Sequence, residues 1–207
     1  MIKWGNLSSY YQLFLLYLNL METTENTNIN PRVGVRFFDP ARQEDFERLY
    51  EIVSSPGARQ WMSDVQGMKK KHFYEWMEET GKRNFFLFAV VIKEEGNPED
   101  DQVQGFVYIY PCEWERGSLE ISFAKKPGAP SGLIAPATKL ACRFVREYNI
   151  RKTGRENPPL RILGEVEADN EPSKKVIWKS GFDLDEEYDE DDNLIFVANW
   201  ERILGEG

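Results

Sequence analysis

The stretch ADNEPSKKVIWKSGF, residues 168–182, decides the fold. It carries start and stop signals for a short helix set between two strand-like runs. Asn170 suits the N-cap, because its side-chain oxygen can accept from backbone N–H groups one turn on. Pro172 falls in the first turn, where a missing N–H loses no bond. Ser173, Val176, Ile177 and Ser180 recur at i, i+3, i+4 and i+7, a small and largely apolar face suited to close packing on a sheet. Lys174, Lys175 and Lys179 fall on faces left to water. Gly181 is placed to stop the helix in the left-handed conformation that strains other residues, and Phe182 to pack back onto the last turn. Taken alone, such a helix is an ordinary crossover of an α/β domain.

Working outward, LRILGEVEA before this stretch reads as a strand. After it come a strand from Phe182, an acidic turn DEEYDEDDN and a last strand LIFVANW. Asp185, Asp189, Asp191 and Asp192 lack the calcium-loop spacing and its central glycine, so the turn reads as a solvated hairpin tip. Towards the N-terminus, VGVRFFDP is a first strand, with Asp39 and Pro40 placed to start a helix whose buried stripe is Phe46, Leu49, Tyr50 and Val53. Pro56-Gly57 breaks it. A second helix over about Gly67 to Glu79 presents Phe73, Trp76 and Met77. NFFLFAVVIK is nearly all apolar, as a central strand would be. VQGFVYIYP and GSLEISFAK complete an antiparallel meander. A long helix follows, with Ala137, Leu140, Ala141, Phe144, Val145 and Tyr148 on one stripe. The order gives a single mixed α/β (α+β) domain over residues 32–204, with about seven strands, mostly antiparallel, and about four helices.

Composition narrows the partners. The 207 residues carry a net charge of −9, which argues against nucleic acid as the main partner, since phosphate binding needs a basic face. No cysteine–histidine cluster has metal-ligand spacing. The one histidine, His72, sits in a basic run that reads as solvated. Two cysteines without a convincing signal sequence point to a reducing cytoplasm. Residues 1–31 are set apart as an N-terminal extension. YYQLFLLYLNL (10–20) is too short to span a bilayer as a helix, and no small-x-small cleavage site follows. The preferred reading makes Met21 the true initiator; a peripheral membrane anchor is the alternative.

The segment KKPGAPSGLI (125–134) joins the end of a strand to the long helix. A helix start has unpaired N–H groups and the positive end of the dipole. It suits a phosphate group, and Gly132 lets a ligand approach the backbone. Lys125 and Lys126 add charge. No Walker loop or dinucleotide fingerprint is present.

Taken together, SLEISFA with its loop and long helix, and EVEADNEPSKKVIWKSGF, resemble the GNAT superfamily of acetyl-CoA-dependent N-acetyltransferases over about Val33 to Trp200. The second segment resembles the family's strand, Asn-x-x-Ser/Ala helix and Gly-Phe strand start. The first departs from the family pattern Gln/Arg-x-x-Gly-x-Gly/Ala, having Ala129, Gly132 and Ile134 at those places. The resemblance implies that the strands SLEISFA and ILGEVEA splay apart and that the pantetheine arm lies between them. It implies that backbone N–H groups of Ser131, Gly132, Leu133 and Ile134 hold the pyrophosphate. Asn170 and Ser173 then offer polar contacts near the thiol end, and an N–H near Phe123 or Ala124 holds the thioester oxygen. The reaction implied is attack of an amine on the thioester, with Glu120 as first candidate base and Glu165 as second. Each could instead be a solvated or paired strand carboxylate. The tyrosine that often protonates the departing thiolate falls at Trp178, leaving that step to Ser173 or water. Trp61, Met62 and Trp76 either wall the acceptor site or pack the core. The acceptor is a primary amine of a small molecule or a protein N-terminus, and the protein a monomer or homodimer. The rival readings are a non-catalytic GNAT fold that binds acyl-CoA or a partner, and a membrane-associated interaction protein.

Overall fold

The computed structural model describes residues 33–38, 42–61, 68–82, 86–92, 102–154, 160–186 and 193–205; Trp61, residues 77–82 and Glu186 are described by their backbone alone. The extension over 1–31, Asp39 and Pro40, Met62 and the acidic tip 187–192 lie outside the described residues.

Thirteen elements follow one another: β1 (Val33–Phe37), α1 (Gln43–Val53), α2 (Pro56–Trp61), α3 (Lys70–Lys82), β2 (Phe86–Ile92), β3 (Val103–Pro111), β4 (Leu119–Lys125), α4 (Ile134–Thr153), β5 (Ile162–Glu167), α5 (Glu171–Lys179), β6 (Phe182–Glu186), β7 (Asn193–Ala198) and α6 (Trp200–Leu204). The strands form one sheet in the order β1-β2-β3-β4-β5-β7-β6. Neighbours are antiparallel except β4 and β5. The expected sheet is therefore present. The described residues hold six helices rather than four, because α2 and α6 have only six and five residues. The first described helix starts at Gln43, behind Arg42; the start expected at Asp39 and Pro40 lies outside the described residues. Glu44 and Asp45 in its first turn favour that start by facing the positive end of the dipole. No described helix is long and apolar enough to cross a membrane.

Two apolar layers hold the sheet. On one face α4 buries Ala137, Ala141, Cys142, Phe144 and Val145 together with Ile177 of α5 and Ile203 of α6. The small residues at 137, 141 and 142 let the helix sit close to the strands, and Phe144 packs edge-on to Phe37 and Phe88 at 5.2 and 5.7 Å. Gly154, at φ 68°, ends α4 and donates its N–H to Ile150 O at 2.8 Å. On the other face α1 and α3 bury Phe46, Leu49, Ile52, Val53 and Phe73 over Leu87, Ala89, Phe106 and Tyr108. The Arg36 guanidinium grips both oxygens of Asp45, which is 1% exposed, at 2.5 and 2.6 Å and ties β1 to α1. A buried carboxylate of this kind needs such a partner.

The contact of α5 with β5 is close. A Cβ on Gly164 would lie 2.0 Å from Ile177 Cδ1. Ile177 can yield only at its tip, so Gly164→Ala is expected to lower stability by about 1 kcal/mol. Urea unfolding measures it; an unchanged midpoint would show that the tip swings aside without cost.

Candidate active site

Among the described residues, the only parallel pair of strands is also the least complete. β4 and β5 meet at Leu119–Ile162 and Glu120–Leu163 alone, although β4 continues to Lys125 and β5 to Glu167. Beyond those positions the strands part and leave a notch at their C-terminal ends, the usual ligand position in α/β sheets. Backbone alternation tells which amides line it. The Leu119 N–H donates across to Arg161 O at 3.0 Å, whereas the Lys126 N–H donates to Gln104 O on β3 at 2.8 Å. By alternation the N–H groups of Ile121, Phe123 and Lys125 face the notch, and those of Ser122 and Ala124 face β3. Of the two amides expected to serve an oxyanion, that of Phe123 faces the notch and that of Ala124 faces β3.

Two helices begin at the mouth of the notch. At the head of α4, Leu133 gives no side-chain cap, and no acidic residue lies in the first turn. The first N–H groups and the dipole are thus left to an anion. Ser131 and Gly132 are exposed, while Leu133 and Ile134 are buried. Gly132 has φ 84°, and a Cβ built on it meets nothing within 4 Å, so the loop is open on that side. The departures at Ala129 and Ile134 turn inward: both are buried in the core, and Ile134 Cδ1 lies 2.8 Å from where a Cβ on Gly105 would be. The larger side chain at 134 is accommodated by that glycine and takes no room from the loop's outer side. Lys125 Nζ donates to Ala129 O at 3.0 Å and steadies the loop, while Lys126 Nζ lies 3.4 Å from Glu51 of α1.

At the head of α5 the expected cap is present. Asn170 Oδ1 accepts from the Ser173 N–H at 3.1 Å. Asn170 is 5% exposed and Ser173 half-buried. Lys174 does not stay in water as expected: it folds back to Ala168 O at 2.6 Å and to Glu171 at 2.5 Å, holding the Glu171 carboxyl below its usual range. Trp178 also departs from expectation. It is 53% exposed and lies under the Arg202 guanidinium, 4.3 Å from its ring centroid. The α5 residue that faces the sheet beside the notch is Ile177, next to Gly164 and Ile121. Neither side chain carries a labile acidic proton.

The opposite face of the sheet carries the carboxylates. Ile121 packs on the α4 side, so Glu120 projects towards the side of α1 and α3. Its cross-strand partner is Tyr110, whose hydroxyl donates to Glu120 Oε1 at 2.5 Å. Tyr108 stacks on Tyr110 at 4.6 Å, and Trp76 meets Tyr108 edge-on at 5.6 Å. Trp76 also lies 5.8 Å from Phe73, so it serves core packing. Glu165 shares the face of Glu120 but lies past the last β4–β5 pair, where Asn193 Nδ2 donates to it at 2.6 Å. The two carboxylates are thus not side by side in register. Sequence reasoning missed Tyr110, because the turn between β3 and β4 does not reveal which tyrosine faces Glu120.

Comparison with known proteins agrees with this geometry. A model of the acetyltransferase (GNAT) domain matches residues 36–183. No curated protein matches the sequence. Among solved structures, a GNAT-family acetyltransferase from Bacillus anthracis is similar at a TM-score of 0.58 and 14% identity, over 82% of this chain and 96% of that one. An aminoglycoside acetyltransferase in complex with coenzyme A is similar at 0.59 and 15% identity, over 84% and 98%. A spermidine N-acetyltransferase from Vibrio cholerae, in complex with CoA and spermine, is similar at 0.57 and 11% identity, over 80% and 92%. At these identities the likeness speaks for the fold, and the domain match speaks for the family. With its parted parallel strands and the two helices that start beside them, the chain belongs to the GNAT family of acetyltransferases.

Proposed function

We propose that the protein is an N-acetyltransferase that moves an acetyl group from acetyl-CoA to a primary amine of a small molecule. The observation that carries this reading is the notch between β4 and β5, with helix starts at its mouth and Glu120 on the neighbouring face. Acetyl-CoA supplies a thioester whose acetyl carbon takes the amine and whose sulfur leaves as a thiol. The fit is supported by the open side of Gly132 and by an α4 start that has neither side-chain cap nor acid. In this reading the backbone N–H groups of 131–134 hold the diphosphate. Asn170, through the amide hydrogens not used in its cap, and Ser173, through its hydroxyl, meet the pantetheine. The Phe123 N–H, turned into the notch, steadies the carbonyl oxygen. An ammonium cannot attack, so Glu120 takes the proton and Glu165 is the second candidate. With Ile177 facing the sheet, the proton returned to sulfur comes from Ser173 or water. Acetyltransferases of like fold named for aminoglycosides and spermidine favour a small amine over a protein N-terminus as acceptor.

The missing acid on α5 favours a second reading, in which the protein binds acyl-CoA without turnover. One experiment separates them: acetyl-CoA affinity by calorimetry, then free-thiol release across a panel of polyamines, aminoglycosides, amino acids and peptide N-termini. Release with at least one small amine supports the enzyme. Binding with no release from any amine supports the non-catalytic reading, and no binding at all overturns both.

A further inference from the structure

We propose that Tyr110 is a positioning residue that holds the Glu120 carboxylate in its ionised, proton-accepting form. The inference rests on the acetyltransferase reading for its consequence, and on the β3–β4 geometry for its substance. A glutamate side chain on a strand has three torsions to lose, and a carboxylate free to swing is a poor base because proton transfer needs hydrogen-bond reach. Tyr110 removes that freedom. It is the direct cross-strand partner of Glu120, and its hydroxyl donates to Oε1 at 2.5 Å. The Tyr110 ring is itself held. Tyr108 stacks on it at 4.6 Å with 26° between the planes, and Tyr108 is 8% exposed, backed by Trp76 at 5.6 Å. A chain of three aromatic rings thus leads from the core beneath α1 and α3 to one carboxylate oxygen. The stack ends on an acid, which packing alone does not require.

The chemistry of the bond sets its direction. A hydroxyl can donate to a carboxylate but gains less from a protonated acid, so the bond favours the ionised form that the base role needs. Among the described residues, the charged and titratable groups on this side of the sheet include Tyr108 and Cys112 on the β3 side, Glu115 in the following turn with Arg161 ion-paired to it at 2.8 Å, Glu165 on β5, and Lys126 at the end of β4 with its partner Glu51 of α1 at 3.4 Å. Burial pushes the Cys112 thiol up, so it stays neutral; Arg161 offsets the charge of Glu115, and a like charge on the same face, such as the Glu165 carboxylate, disfavours the ionised form of a neighbouring acid. The Tyr110 hydroxyl acts in the opposite direction, towards the ionised form.

The test follows the Glu120 carboxyl itself by 13C NMR in the full chain, its signal assigned by its absence in Glu120→Gln. In Tyr110→Phe, which keeps the stacked ring, its titration midpoint is expected to rise by about one pH unit. In Tyr108→Phe, which keeps both the stack and the donor, it is expected to stay. A midpoint unchanged in Tyr110→Phe overturns the proposal, whatever the enzyme does. With an active amine, Tyr110→Phe is expected to lower kcat about tenfold with KM for acetyl-CoA unchanged, to move the acidic limb of the rate profile upward, and to have no further effect in a Glu120→Gln background. An equal loss in that background also overturns it, because Tyr110 then acts by another route. If Glu120→Gln alone keeps the full rate while the titration still shifts, the positioning geometry stands and the base assignment falls.

Discussion

Glu120→Gln is expected to lower turnover about 10²-fold or more and to leave acetyl-CoA affinity unchanged. Glutamine keeps the length of the side chain and an oxygen that can accept the Tyr110 hydroxyl, so the β3–β4 pair should be preserved. It cannot take a proton at neutral pH. In the proposed reading the cofactor is held by backbone groups at 123 and 131–134 and by the head of α5, and Glu120 is not among those groups. The sign of the pH dependence follows from the role. The wild-type rate falls as pH drops through the titration of the base, because a protonated carboxyl accepts nothing; in Glu120→Gln that acidic limb disappears. Steady-state rates from pH 5 to 9, with calorimetry for acetyl-CoA, measure both parts. A variant that runs at the wild-type rate at every pH passes the role to Glu165 or to a chain of waters.

The parting of β4 and β5 came from the family resemblance, but the two helices beside the notch were legible in the sequence for a physical reason. They carry their boundary chemistry in adjacent residues: Asn170 with Pro172 and Gly181 for α5, and the glycine loop before Ile134 for α4. Local signals of that kind survive translation into structure, as the Asn170 cap and the φ of 92° at Gly181 attest. What needed tertiary pairing was not legible. That Ala124 turns its amide to β3, that Ile134 is sheltered by Gly105, and that Tyr110 faces Glu120 all depend on β-register across a turn. Helix phase explains the error at Trp178. One residue is 100° of rotation, enough to exchange a side chain under Arg202 for one on the sheet. The short α2 and α6 were missed because a helix of one or two turns has almost no periodicity to read, even though Asn199 and Gly205 mark both ends of α6.

Gly132→Glu tests the other half of the notch, and acetyl-CoA affinity is expected to fall at least about tenfold, or 1.4 kcal/mol. Three effects add. The new carboxylate stands at the end of α4 where the dipole and the unpaired N–H groups favour a negative ligand, so it competes for the same field. Its side chain fills the open side of the loop, where the glycine now leaves at least 4 Å clear. The φ of 84° is also costly for any residue with a Cβ, and relaxing it would tilt the amides of 131–134 away from the ligand. Gly132→Ala separates these effects, since it brings the backbone cost without the charge or the bulk, and its loss should be smaller. The part due to charge is identified by salt: the gap between the two variants should narrow as ionic strength rises, because exposed charges are screened. No clash threatens the fold, as a Cβ here meets no neighbour and Gly132 is exposed, and the backbone cost is common to both variants; a small and equal drop in melting temperature in the two would verify it. Should calorimetry give one affinity for wild type, Gly132→Ala and Gly132→Glu alike, the diphosphate is bound away from the head of α4, and the reading of the loop over 126–133 falls with it.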